Sequence, residues 1–245
     1  MTSSTKNTIK HYSEKAQHYF DLYNSVDAES VHTDWKASLQ QAEVGFALDV
    51  GAGSGRDANW LAEKGWKVIA VEPANELRNL AQANSHNSVT WCNASLPALT
   101  TLPQAPKTYD LILLSAVWMH LPESERPLAL NRLADLLSEN GIMYISLRFG
   151  PNDEARPMHP VSYEEVATLA KDNGLSARNL NPVPSQDGLQ RDDVKRVTVE
   201  GDRPFSSDEN VTLDALKSRK SPQPEGTNVN YGGHSPKRQH TRNID

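Results

Sequence analysis

The sequence predicts an α/β protein built on a doubly wound, mostly parallel sheet of seven strands. Three observations predict it. Short apolar runs bounded by glycine alternate with stretches of helical period over residues 43–200. A glycine-rich segment, "DVGAGSG" (Asp49 to Gly55), separates the first of these runs from a helix, and a carboxylate, Glu72, closes the next run.

Before the first strand, Tyr12, Ala16, Tyr19, Phe20 and Tyr23 recur at helical spacing, which predicts a helix from Ile9 to about Val26 with an aromatic face. A second helix is predicted from Ala28 to Gln41, with Val31, Trp35 and Leu39 on one stripe. "GFALDV" then reads as a strand buried on both faces, "RDANWLAEKG" as a helix stopped by Gly65, and "WKVIAVE" as the second strand. Further along, "NELRNLAQANS" reads as a helix, "VTWCNA" as a short strand and "YDLILLSAV" as a central strand. "SERPLALNRLADLLSENG" predicts an amphipathic helix ending at Gly141, and "IMYISLRFG" the fifth strand. Ser162 followed by Glu165 marks a capping box at the start of one more helix. The last two strand candidates, "SARNLNPV" and "DVKRVTVE", are less apolar and suit an edge hairpin. From residue 201 to 245 the chain has four prolines, few large apolar residues and no sustained period, and is expected to be a disordered polar tail.

Composition narrows the classes of function. The net charge is −6 over 245 residues, and the acidic excess lies before the tail, which argues against a duplex nucleic-acid substrate. No run has the length of a membrane span, and "MTSSTKNTIKHYSEK" lacks the apolar middle of a secretory signal, so a cytoplasmic chain is expected. Cys92 is the one cysteine; it excludes an intrachain disulfide and a multi-thiolate metal site, and is expected to be a small buried residue. No metal is expected.

Glycines between a buried strand and a helix let backbone N–H groups approach a ligand. For a dinucleotide the third fingerprint glycine is required, and Arg56 stands there. An NAD-dependent oxidoreductase is disfavoured for that reason. A carboxylate at the end of the second strand, as Glu72 is, can accept both hydroxyls of a ribose.

With those residues in view, "LDVGAGSGRD" and "VEPA" resemble the first and second motifs of the class I S-adenosylmethionine-dependent methyltransferases. "YDLILLSAVWMHLPESERP" resembles the fourth-strand motif of their small-molecule branch, and the resemblance runs from about Tyr12 to Leu175. It implies a Rossmann-like core over residues 43–200, an N-terminal helical cap over residues 1–42, and S-adenosylmethionine as cofactor. It also implies that Asp49 orders the glycine loop near the methionine ammonium, that Gly51, Ala52 and Gly53 contact the amino-acid part, that Glu72 takes the ribose and that Pro73 borders the adenine. Asn93 and Ala94, with Ser95, occupy the place from which the adenine amine is held, where the family usually has an acid. Ser115 follows the fourth strand, and cap tyrosines, Tyr12 or Tyr19, touch the donor.

Other candidates lie at the carboxyl ends of the strands, where doubly wound sheets bind ligands. His120 suits a general base by residue type; capping the strand-helix turn is its alternative. Trp118 is either an acceptor wall or core. Arg148 and Arg156 either clamp an anionic acceptor or lie in surface ion pairs, and His159 is a further candidate for the acceptor side. The function expected is methyl transfer to a small molecule by a monomer or homodimer. The alternatives are a non-catalytic S-adenosylmethionine-binding regulatory module, or a methyltransferase of RNA or protein. DNA is disfavoured, because Ser115-Ala-Val-Trp118 replaces the Pro-Pro-aromatic run of amino-directed DNA enzymes, and "WCNA" lacks a Pro-Cys nucleophile.

Overall fold

The computed structural model describes residues 2–40, 42–102, 108–152, 154–186, 189 and 194–203. Four short helices open the chain: α1 (Ser3–Glu14), α2 (Ala16–Asn24), α3 (Ala28–Val31) and α4 (Lys36–Leu39). Then come β1 (Phe46–Val50), α5 (Arg56–Glu63), β2 (Lys67–Val71), α6 (Asn75–Ala83), β3 (Val89–Cys92) and β4 (Tyr109–Ser115). The remainder is α7 (Arg126–Leu136), β5 (Leu137–Phe149), α8 (Tyr163–Asp172), β6 (Ser176–Asn179), the two-residue β7 (Ser185–Gln186) and β8 (Lys195–Asp202).

The sheet order is β3-β2-β1-β4-β5-β8-β6, with β7 paired to β8. Strands β1 to β5 are parallel, and β8 runs antiparallel to both β5 and β6. From β1 the chain winds outward through β2 and β3, then returns to β4 on the other side. The crevice between the ends of β1 and β4 is therefore the switch point at which such sheets bind ligands.

Strand periodicity divides the core in two. In β4, Ile112 and Leu114 point to one face, where they meet Leu130 and Leu133 of α7; Leu111 and Leu113 point to the other, with Trp60 and Leu61 of α5. That second face also receives Trp35, whose ring stacks on Tyr144 of β5 with centroids 4.2 Å apart.

Several expectations are corrected. The first predicted helix begins earlier, at Ser3, where Thr2 caps the Thr5 amide, and it breaks at Lys15 into two. The second is two single turns, because His32 ends α3 and buries its ring between Trp35 and Trp60. α7 stops at Leu136, five residues before Gly141. Gly141 is a strand residue instead: a Cβ there would stand 2.8 Å from the Tyr109 carbonyl oxygen, so the close approach of β4 and β5 requires glycine. Ser162 caps α8 as expected, but Glu165 does not fold back to it; both its oxygens take Arg126 Nη1 at 2.7 Å. β8 is interior, between β5 and β6, with Val197 and Val199 buried; only β6 is the edge of the predicted hairpin. Cys92 is half-buried, with Sγ beside Thr101. Of the expected polar tail, Gly201 and Asp202 extend β8, and residues 204–245 lie outside the described residues. Among the described residues no helix is long and apolar enough to cross a membrane.

Candidate active site

The glycine loop turns because three glycines adopt positive φ: Gly51 at 71°, Gly53 at 56° and Gly55 at 79°. At Gly51 the space is also closed, since a Cβ would lie 2.5 Å from Val117 Cγ2 after β4. The Gly51 and Ala52 amides both donate to the Val71 carbonyl, at 2.8 and 2.9 Å, tying the loop to the end of β2. One residue further along β2 stands Glu72. Its Oε2 accepts the Gly53 N–H at 2.9 Å and its Oε1 the Ala74 N–H at 2.7 Å; burial raises the carboxyl to a pKa of about 7 despite both hydrogen bonds.

Asp49, next to last in β1, lies behind the loop, 1% exposed, and among the described residues its Oδ2 has no hydrogen-bond partner. Burial, then the charges of Asp57 and Glu72, push its carboxyl well above the usual range, with Arg56 opposing. Arg56, at the place of the missing fingerprint glycine, grips the neighbouring Asp57 through Nε and Nη2 at 2.7 and 2.9 Å. His32 Nε2 stands 3.0 Å from the same carboxylate. Burial pushes Asp57 up, but Arg56 and His32 outweigh it and hold the carboxyl well below its usual value.

These groups form one wall of a cavity over the switch point. Gly51, Ala52, Gly53, Glu72, Pro73, Ala94 and Ser115 line it, and Thr5, Thr8, Ile9, Tyr12 and Tyr23 cover it from α1 and α2. Arg148, Arg156 and His120 line it on the side of β4 and β5.

A hydroxyl joins cap to sheet. Tyr12 Oη accepts from Arg156 Nη1 at 3.0 Å and from the Tyr23 hydroxyl at 3.4 Å, and lies 3.3 Å from His120 Nε2. The other ring nitrogen, Nδ1, is 3.2 Å from the Pro157 carbonyl. A carbonyl only accepts, so Nδ1 carries the hydrogen and Nε2 receives the Tyr12 O–H. Burial, reinforced by the charges of Arg156 and Arg148, lowers His120 to a pKa of about 4. This revises the expectation of a base with an ordinary histidine pKa: His120 is neutral, with Nε2 occupied.

Other expected site residues lie elsewhere. Trp118 is fully buried in the core with Leu121 and Leu130, and does not wall the cavity. Asn93 is exposed and outside the lining, because the chain turns at Ala94 and presents Ala94 and Ser95 instead. Tyr19 packs behind Tyr12, ring centroids 4.6 Å apart, and its hydroxyl meets His11 Nε2 at 2.9 Å. His159 lies outside the lining; its amide donates to the Met119 carbonyl at 2.8 Å. Arg196 of β8, in contrast, lines the cavity and was not anticipated, since the strand that carries it reads as a polar edge.

Residues 47–141 match the sequence profile of the methyltransferase domain. A malonyl-[acyl-carrier protein] O-methyltransferase of Halalkalibacterium halodurans is 27% identical over 160 residues, which are 60% of this chain and 56% of that protein. Over these residues the chain is similar to S-adenosylmethionine-dependent methyltransferases. The chain spans about half the length of the first curated relatives it matches. The methyltransferase fold is shared with solved structures. The 1,6-didemethyltoxoflavin-N1-methyltransferase of Burkholderia thailandensis, solved with 1,6-didemethyltoxoflavin and S-adenosylhomocysteine, superposes with a TM-score of 0.62 at 17% identity, over 81% of this chain and 88% of that one. The magnesium protoporphyrin IX methyltransferase of Synechocystis PCC 6803, with bound S-adenosylmethionine, gives 0.55 at 16% identity, over 83% and 92%. At these identities the likeness is one of fold.

Proposed function

We propose that this chain transfers a methyl group from S-adenosylmethionine to a small-molecule acceptor. The observation that carries the reading is the Glu72 carboxylate, held by the Gly53 and Ala74 amides at the mouth of the glycine loop, on the cavity wall. A ribose diol donates two hydrogen bonds to such an acceptor. In this reading Gly51, Ala52 and Gly53 lie along the amino-acid part, Pro73 and Ala94 border the adenine, and Ser115 stands at the end of β4 between donor and acceptor. Bound S-adenosylmethionine supplies an already activated methyl group and leaves as a neutral thioether.

The protein's part is then alignment and exclusion of water. α1 and α2 cover the cavity, and Tyr12 ties that cover to His120 and Arg156. His120 positions the Tyr12 hydroxyl rather than taking a proton, because its Nε2 is already engaged. A cytoplasmic setting and a monomer or homodimer stay with this reading. Calorimetric titration with S-adenosylhomocysteine and with NADH tests it: micromolar binding of the first and none of the second is expected, and the reverse overturns it. Release of S-adenosylhomocysteine in the presence of a panel of small acceptors tests the transfer itself.

A further inference from the structure

The Tyr12 hydroxyl already makes as many hydrogen bonds as an oxygen with one hydrogen and two lone pairs can. Its hydrogen goes to His120 Nε2, 3.3 Å away, and its lone pairs accept from Arg156 Nη1 at 3.0 Å and from the Tyr23 hydroxyl at 3.4 Å. Tyr12 lines the cavity, yet a ligand atom can bond its oxygen only when one of these three partners lets go.

Tyr23 is the partner placed to do so. Its bond to that oxygen is the longest of the three and exceeds the usual reach of about 2.5 to 3.0 Å between hydroxyls, whereas the Arg156 bond is charge-assisted. Burial, with the Tyr12 hydroxyl alongside, raises the Tyr23 pKa, so Tyr23 keeps its proton and stays a hydrogen-bond donor.

The same ring stands over the glycine loop. A carbon placed on Gly53 where a side chain would begin lies 3.6 Å from Tyr23 Cδ2, which is already van der Waals contact, so a ligand laid along Gly53 meets this ring. The helix that carries it is tied down: the next residue, Asn24, accepts from Ser54 Oγ of the loop at 3.1 Å, which leaves the Tyr23 side chain as the part that moves. Tyr23 therefore touches the glycine loop with its ring and the wall of His120 and Arg156, through Tyr12, with its hydroxyl.

We propose that Tyr23 is a positioning residue that carries donor binding to the opposite wall: the donor's amino-acid part, lying along Gly53, displaces the Tyr23 hydroxyl from Tyr12 and leaves one lone pair of Tyr12 Oη open to the cavity. This rests on the methyl-donor reading above and adds an order to it, since Tyr12 is presented to an acceptor only once the donor is in place.

His120 reads the change, because the Tyr12 O–H that it accepts is a weaker donor once Tyr12 Oη has lost a hydrogen bond of its own. The test is the nitrogen spectrum of the full chain titrated with S-adenosylhomocysteine, the His120 Nε2 resonance being assigned by its loss in His120→Gln. In the unaltered chain, saturation is expected to move that resonance downfield, toward the position of an unbonded ring nitrogen. Ligand-free Tyr23→Phe is expected to show the moved resonance already and S-adenosylhomocysteine to add little to it. Calorimetric affinity of Tyr23→Phe should rise about two- to fivefold, because no bond to Tyr12 has to break. A residue that only packs against the loop would change neither the resonance nor the affinity in this way. Binding of S-adenosylhomocysteine to the unaltered chain without the downfield movement overturns the proposal, whether or not Tyr23→Phe folds. A movement in Tyr23→Phe as large as in the unaltered chain, or an affinity weakened by the substitution, overturns it too. Failure of the unaltered chain to bind S-adenosylhomocysteine at all sinks the donor reading instead.

Discussion

The Gly53 amide donates to Glu72 Oε2 at 2.9 Å, so the loop at the end of β1 and the carboxylate at the end of β2 hold one another in place. The same carboxyl is buried, and burial brings its pKa to about 7. Its protonation state therefore changes within the range of pH at which such a protein works.

A protonated carboxyl has lost acceptor capacity for a diol. Affinity for S-adenosylhomocysteine should rise between about pH 6 and pH 8, with a midpoint near the Glu72 pKa of about 7. Glu72→Ala should cost about 1.5 to 3 kcal/mol of binding and flatten the profile. Calorimetry at stepped pH checks both.

Stability moves the other way. A carboxyl whose folded pKa of about 7 exceeds its ordinary 4.5 contributes stability that is complete below 4.5 and is lost as pH rises through 7. For the ligand-free chain that loss from Glu72 is on the order of 3 kcal/mol. Unfolding curves with and without S-adenosylhomocysteine should therefore separate further as pH rises, and in Glu72→Ala the separation should stay constant.

Gly51→Ala meets two obstacles, a φ of 71° and Val117 Cγ2 at 2.5 Å. The substitution should destabilise by about 2 to 4 kcal/mol. Adding Val117→Ala removes the clash but leaves the left-handed backbone, so about 1 to 2 kcal/mol of the loss should persist in denaturant unfolding of the double variant.

His120 should remain the neutral Nδ1–H tautomer throughout the neutral range, with titration only near pH 4. Nitrogen chemical shifts of the imidazole report this directly. A protonation step near pH 6.5 assigned to His120 would show that the ring is solvated and the Tyr12 contact open.

Arg126 is 2% exposed and pairs with Glu165 across α7 and α8, away from the cavity lining. Glu165→Ala leaves a buried guanidinium without its carboxylate and should cost about 2 to 4 kcal/mol in denaturant unfolding, somewhat less than a fully buried pair because Glu165 is partly exposed. S-adenosylhomocysteine affinity should be unchanged.

The half of the molecule that carries the glycine loop was legible because its signals are local. Gly51 and Gly53 need positive φ, the strands around them are apolar on both faces, and Glu72 follows at a fixed distance; each is a demand of backbone geometry written in a few adjacent residues. The C-terminal side of the site was not legible in the same way. Arg196 lies in a strand whose charged residues suggest an edge, yet pairing with β5 on one side and with β6 and β7 on the other makes the strand interior, and Arg196 lines the cavity. Nothing within "DVKRVTVE" states which neighbours it will have. Likewise Trp118 reads equally as wall or core from its position after β4, and only packing with α7 decides for the core. His120 shows how burial overrides residue type: the same imidazole that suits proton transfer in water is held neutral by Pro157 and Tyr12.

The placement of β8 has a consequence for the order in which the molecule comes into being. It is the last strand among the described residues, yet β6, made earlier, has no sheet partner other than β8. During synthesis the glycine loop, Glu72 and the strands around them can assemble while the ribosome is still adding residues beyond Phe149. Arg196 arrives last, and β6 waits for the same event. The lining of the cavity is thus complete only once β8 has paired with β5.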